Sequence, residues 1–130
     1  MKREARKLYN DLVNEKLAYF DMSDVLRYTC GKPSCILGHI LERMGKLDDY
    51  RLEEENCAGP RSEYVSTQAA YAWLGLDHSI GNKLCFPGCG AFVSVNEVWD
   101  DDGNNAHYVT SQQDAAEALK RACKLAGQKV

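Results

Sequence analysis

Apolar residues in this chain recur mostly at helical spacing, and this constrains the fold more than any other feature. In residues 4–20, Leu8 and Leu12 are four residues apart, as are Val13 and Leu17, and positions three or four apart share a face of an α-helix. We also predict helices at 33–44, 67–74, 77–84 and 110–127.

Short polar residues and glycines mark the predicted ends of these helices. Ser66, Asp77 and Ser111 precede apolar helical segments, and their side-chain oxygens can accept hydrogen bonds from backbone N–H groups at a helix start. Gly45 and Gly75 follow two of the helices, where glycine readily adopts a left-handed conformation.

The other segments are less regular. Residues 46–65 are polar and predict a loop with at most one helical turn, whereas β-prone residues within 92–109 predict one small hairpin. A length of 130 residues fits one domain. We therefore predict a mainly α single domain over residues 1–130, with five or six helices. The predicted core consists of Leu12, Leu17, Ile36, Leu37, Ile40, Trp73, Leu74 and Leu119.

Gly38 lies inside the most apolar helical segment, and Pro33 lies shortly before it. Glycine within a helix costs about 1 kcal/mol relative to alanine, so we expect another element to pack closely against Gly38. Proline suits the first position of a helix because no N–H is needed there. Pro33 is therefore predicted to begin this helix.

Composition limits the class of protein. No apolar run approaches the roughly 18 residues of a membrane span, and the charged N-terminus lacks the apolar core of a secretory signal. We expect a cytoplasmic protein with no membrane partner. The net charge is −3, and the basic residues divide between two ends that also hold acids, which argues against nucleic-acid binding. Six cysteines without a secretory signal predict reduced or metal-bound thiols.

The cysteines and one histidine have spacings that a zinc site could use. Cys30, Cys35 and His39 form one group, and Cys85 and Cys89 form a second. Structural zinc takes four thiolate or imidazole ligands in a tetrahedron, so these five residues are the candidate ligands of a structural zinc ion. The alternative that we favour is that no cofactor binds and the thiols are core side chains, because cysteine is among the most frequently buried residue types.

A third alternative is a thiol-dependent enzyme. Cys35 lies near a predicted helix start, where the helix dipole lowers the pKa of a thiol. His39 is one turn further along and could act as its base. No third orienting group and no oxyanion donors are evident in the sequence, so we predict no catalytic residue.

The segment CGKPSCILGH at residues 30–39, with FDMS before it and LGL and LCFP after it, resembles a family of small uncharacterised proteins of bacteriophages and prophages. The family motif reads roughly CG-T-x-x-C-I/L-A-G-H/W. Lys32 and Leu37 depart from it, and the position of His39 often holds tryptophan, which cannot bind a metal. The resemblance implies a mostly helical, cytosolic protein of a bacterial host, with no known activity. We accordingly expect a non-enzymatic protein that binds a host or phage protein and inhibits or modulates it.

Overall fold

A computed structural model of the chain describes residues 1–27, 30–56, 58–86, 96–99 and 106–130. Within these ranges the protein has six α-helices and one two-stranded antiparallel sheet, which confirms the predicted mainly α class. The elements are α1 (Arg3–Val13), α2 (Ile36–Met44), α3 (Leu47–Glu55), α4 (Val65–Leu74), α5 (His78–Cys85), β1 (Asn96–Trp99), β2 (Ala106–Val109) and α6 (Gln112–Leu125).

Helix α1 is shorter than the predicted 4–20. The side-chain amide of Asn14 donates to the carbonyl oxygen of Asn10 at 2.8 Å, and Glu15 has a φ of 53°. A left-handed residue cannot continue a right-handed helix. The apolar spacing beyond Glu15 therefore belongs to an irregular segment, in which Leu17 and Phe20 are partly buried against the core.

The prediction of a loop over residues 46–65 was wrong, because α3 occupies much of it. Tyr50 is the one residue of α3 that is buried, so the helix has no apolar stripe for sequence analysis to detect. Asp48 and Asp49 in its first turn favour the helix through its dipole. A short 3₁₀ turn, Arg61–Glu63, follows.

The predicted helix starts are confirmed at two of three positions. Asp77 Oδ1 accepts from the N–H of Ile80 at 2.8 Å, and Ser111 Oγ accepts from the N–H of Asp114 at 3.0 Å. Gly45 and Gly75 are left-handed at the ends of α2 and α4, as expected.

Ser66 is not the N-cap of α4, which begins one residue earlier, after Tyr64. The Ser66 hydroxyl donates to Glu53 Oε2 at 2.6 Å, and the Ser66 N–H lies 3.3 Å from both oxygens of the same carboxylate. The Glu53 side chain of α3 therefore accepts from a backbone N–H in the first turn of α4, and Ser66 itself is buried.

The core forms where α1 packs on α6 and α2 packs on α4. Six of the eight predicted core residues are fully buried, whereas Leu17 and Trp73 are partly buried at its margin. The fully buried residues are Leu12, Ile36, Leu37, Ile40, Leu74 and Leu119.

The hairpin predicted within 92–109 is present, with Asn96 opposite Val109 and Trp99 opposite Ala106. Residues 92–95 of the prediction lie outside the described residues. Among the helices that the structure describes, none combines the length and the apolar content needed to cross a bilayer.

Candidate functional site

The chain enters α2 through a paired loop. Leu26 and Pro33 form an antiparallel bridge, and the N–H of Ser34 donates to the carbonyl oxygen of Val25 at 2.9 Å. Proline is tolerated here because the adjacent Ser34 supplies the donor. The prediction that Pro33 begins the helix was therefore wrong, since α2 begins at Ile36.

Gly38 is the point where this loop crosses α2. A Cβ added at Gly38 would lie 2.1 Å from the carbonyl oxygen of Val25 and 3.3 Å from the Cα of Pro33. Both neighbours are backbone atoms, which cannot move aside as a flexible side chain can. The prediction that another element packs closely against Gly38 is confirmed.

Cys35 is the N-cap residue of α2 and is buried. Burial raises the pKa of the Cys35 thiol to about 11, although the backbone N–H groups of Gly38 and Leu37 act in the opposite direction. A thiol with this pKa is protonated at neutral pH. Desolvation thus outweighs the helix terminus, and Cys35 has the chemistry of a core side chain.

His39 lies one turn beyond Cys35, and its ring is held by another segment. His39 Nε2 lies 2.8 Å from the carbonyl oxygen of Tyr19. A carbonyl oxygen only accepts, so Nε2 carries the proton in this contact. The ring also stacks on Phe20 at a centroid distance of 6.1 Å. Burial lowers the pKa of His39, which favours the neutral imidazole at pH 7.

The predicted zinc ligands are only partly brought together. Cys35 and Cys85 are buried and line one cavity of about 80 Å³, whereas Cys30 is exposed and Cys89 lies outside the described residues. Within the part of the chain that the structure describes, no three His, Cys, Asp or Glu side chains form a group suited to a metal ion. Burial also raises the pKa of the Cys85 thiol.

Sequence analysis missed a cleft that lies between α3 and residues 24–27 together with Gly31. Arg27, Arg51 and Arg61 line it together with Asp24 and Glu54, and its volume is about 200 Å³. We call it the arginine cleft. The three arginines come from distant parts of the chain, and α3 was predicted as loop, so no local pattern indicated that they meet.

Each arginine of the cleft is held by a different contact. Arg51 Nη2 donates to the carbonyl oxygen of Gly31 at 2.6 Å, and Arg61 Nε lies 3.3 Å from Glu54 Oε2. The Arg27 guanidinium lies 3.9 Å from the centroid of the Tyr19 ring. Arg27 Nε is a buried donor without a hydrogen-bond acceptor among the described residues.

A second groove lies on the other side of α3, between α3 and α4. Leu52 is 56% exposed and Val65 is 78% exposed, and both line this groove. Lys46, Asp49 and Glu53 surround them, in a space of about 280 Å³. We call Leu52 and Val65 the apolar pair.

No protein-family model, no curated protein and no solved structure matches this chain. The chemistry of its own side chains is therefore the basis for assigning a function.

Proposed function

We propose that this chain is a small, non-catalytic interaction protein of bacteriophage or prophage type. It binds a host or phage protein in the bacterial cytoplasm and inhibits or modulates it. The phage origin follows from the resemblance of residues 30–39 to the phage-type family motif. The mode of action follows from the apolar pair, Leu52 on α3 and Val65 on α4.

The exposed apolar pair supports this proposal most directly. Single exposed aliphatic residues are ordinary on protein surfaces, but Leu52 and Val65 share one groove and have a charged rim. An apolar centre inside a polar rim is the usual anatomy of a protein interface. Two aliphatic side chains in one groove can contact one apolar side chain of a partner, as in a small transient interface.

The burial of Cys35 and the hydrogen bond of His39 support a function without catalysis. Cys35 is buried with its pKa raised to about 11, and a nucleophilic cysteine needs a thiolate at working pH. His39 is engaged through Nε2 with Tyr19. Both residues serve the packing of α2.

Photocrosslinking from the apolar pair tests the proposal. A photoreactive amino acid replaces Val65 in one variant and Leu125, which is 62% exposed on α6, in the control variant. In bacterial lysate we expect the Val65 variant to crosslink one protein saturably. Unlabelled wild-type protein should compete for this product, whereas Leu52→Glu should not.

Equal labelling from both positions, or labelling that wild-type protein does not compete away, would contradict an interaction surface at the apolar pair. The folded state of each variant is checked by circular dichroism. Both positions are solvent-exposed, so we expect both variants to fold.

A zinc-stabilised module is a second candidate, favoured by the shared cavity of Cys35 and Cys85. One thiol from each predicted ligand group lies there. If zinc binds, protein purified without chelator or histidine tag should contain about one zinc ion per chain by mass spectrometry. Cys35→Ser should then lose the metal, and a chelator should unfold the protein. A well-folded sample without metal would remove this candidate.

A further inference from the structure

We propose that the arginine cleft binds a carboxylate group, supplied by an aspartate or glutamate side chain of the partner protein. This inference rests on the proposed function, since it names the chemistry of one partner contact. It concerns a part of α3 different from the apolar pair.

Three arginines from separate parts of the chain converge on this cleft. Arg27 belongs to the loop before α2, Arg51 to α3 and Arg61 to the 3₁₀ turn, yet all three line one cleft. Arginine presents planar N–H donors that match the two oxygens of a carboxylate.

Arg27 has a side-chain donor without a matching acceptor among the described residues. Its guanidinium is stacked on Tyr19, so its face is occupied and its edge N–H groups are its remaining polar side. Nε is buried without an acceptor among the described residues, and a buried donor without an acceptor destabilises a protein. A carboxylate bound in the cleft would supply the missing acceptor.

The guanidinium of Arg51 is already positioned in the absence of a ligand. Arg51 is fixed by Gly31 and by Asp48, whose Oδ1 lies 3.1 Å from Nη1. A Cβ at Gly31 would lie 2.6 Å from Arg51 Nη2, so the glycine gives this guanidinium its place. Side chains that are already ordered lose little entropy when a ligand binds.

The charge of the cleft favours a carboxylate over a phosphate. Three arginines face Asp24 and Glu54 in the cleft, and Asp48 pairs with Arg51 beside it, so the formal charges balance. One carboxylate adds a single negative charge to this balanced group. A phosphate dianion would add two beside three carboxylates, and like charges at short range are destabilising.

Titration with small probes tests the inference. Protein labelled with ¹⁵N is titrated with N-acetyl-glutamate amide, N-acetyl-glutamine amide, N-acetyl-alanine and inorganic phosphate, while arginine Nε–Hε signals are followed by NMR. We expect the Arg27 signal to shift saturably with the glutamate compound and to stay unchanged with the neutral glutamine compound.

Matched variants locate the binding. Arg27→Lys keeps the charge but loses the planar donors, and it should weaken binding of the glutamate compound about tenfold. Arg43→Lys is the control, because Arg43 lies on α2 and pairs with Asp11 at 2.6 Å, outside the cleft. It should bind like wild type.

Three titration results would overturn the inference: no saturable shift with the glutamate compound, tighter binding of phosphate, or binding of N-acetyl-alanine alone, which carries its carboxylate at the chain end.

The crosslink from the Val65 variant distinguishes failure of this inference from failure of the proposed function. If Arg27→Lys abolishes probe binding but leaves the crosslinked product unchanged, the cleft is not a partner contact and the interaction protein stands. If the photoreactive Val65 variant that retains Arg27 gives no saturable crosslink, the proposed function itself is removed.

Discussion

Helices α2 and α3 follow one another and each contains nine residues, but the protein uses them in opposite ways. Six residues of α2 are buried and fix the paired loop at Gly38. Tyr50 is the one residue of α3 that is buried, and grooves lie along its sides. The difference separates packing from exposure: α2 contributes six residues to the core, whereas α3 leaves most of its side chains accessible, and it is there that we propose a partner binds.

The largest expected effect comes from truncating one aliphatic residue in each helix. Ile40→Ala should lower the free energy of unfolding by about 2–5 kcal/mol, because Ile40 is fully buried and its removal leaves a cavity. Leu52→Ala should change it by no more than about 0.5 kcal/mol, because Leu52 is mostly exposed. Urea denaturation measures both values, and equal losses would refute the division between the helices.

Replacing the crossing glycine should have the next largest effect. Gly38→Ala should destabilise the protein by about 3 kcal/mol, because the new Cβ meets the carbonyl oxygen of Val25. Gly45→Ala is the control: its φ is 72° but no atom lies within 4 Å of the added Cβ. The control should lose only about 1 kcal/mol from the left-handed backbone. Thermal unfolding compares the two, and a Gly38→Ala protein as stable as wild type would contradict the close crossing.

The contrast between the helices also explains what sequence could predict. Apolar spacing identified α2, because a buried helix shows its core side in its sequence. It failed for α3, where a single buried tyrosine leaves no periodic pattern. The close contact at Gly38 was predictable, since glycine inside an apolar helix needs a physical reason.

Spacing alone could not decide the roles of the cysteines or find the arginine cleft. Cys30 is exposed whereas Cys35 is buried, although both belong to one sequence motif. Tertiary packing determines which thiol is desolvated. The cleft joins Arg27, Arg51 and Arg61 across a helix that was not predicted, so its assembly depends on long-range folding.

A smaller effect is expected where α3 is joined to α4. Glu53→Gln should cost about 1 kcal/mol, because the carboxylate accepts from both the N–H and the hydroxyl of Ser66 and the neutral amide is a weaker acceptor. Glu55→Gln is the control, since Glu55 is exposed on the same helix and should leave stability unchanged. If the two variants unfold at the same urea concentration, the Glu53 contact does not stabilise the start of α4.

A pH dependence is expected from the α2 side. Burial lowers the pKa of His39 from its ordinary value of 6.5, so below pH 6.5 the unfolded chain binds a proton that the folded protein does not. The free energy of unfolding should therefore be highest above pH 6.5 and should fall as pH decreases, by at most about 1.4 kcal/mol per pH unit.

His39→Gln is the control variant, because glutamine retains an N–H donor for the carbonyl oxygen of Tyr19 but does not titrate. Urea denaturation of both proteins between pH 5 and 7 isolates the histidine, because other titrating groups are common to both. A constant difference between the two proteins over this range would mean that His39 titrates alike in the folded and unfolded states, and that its burial beside Tyr19 does not hold it neutral.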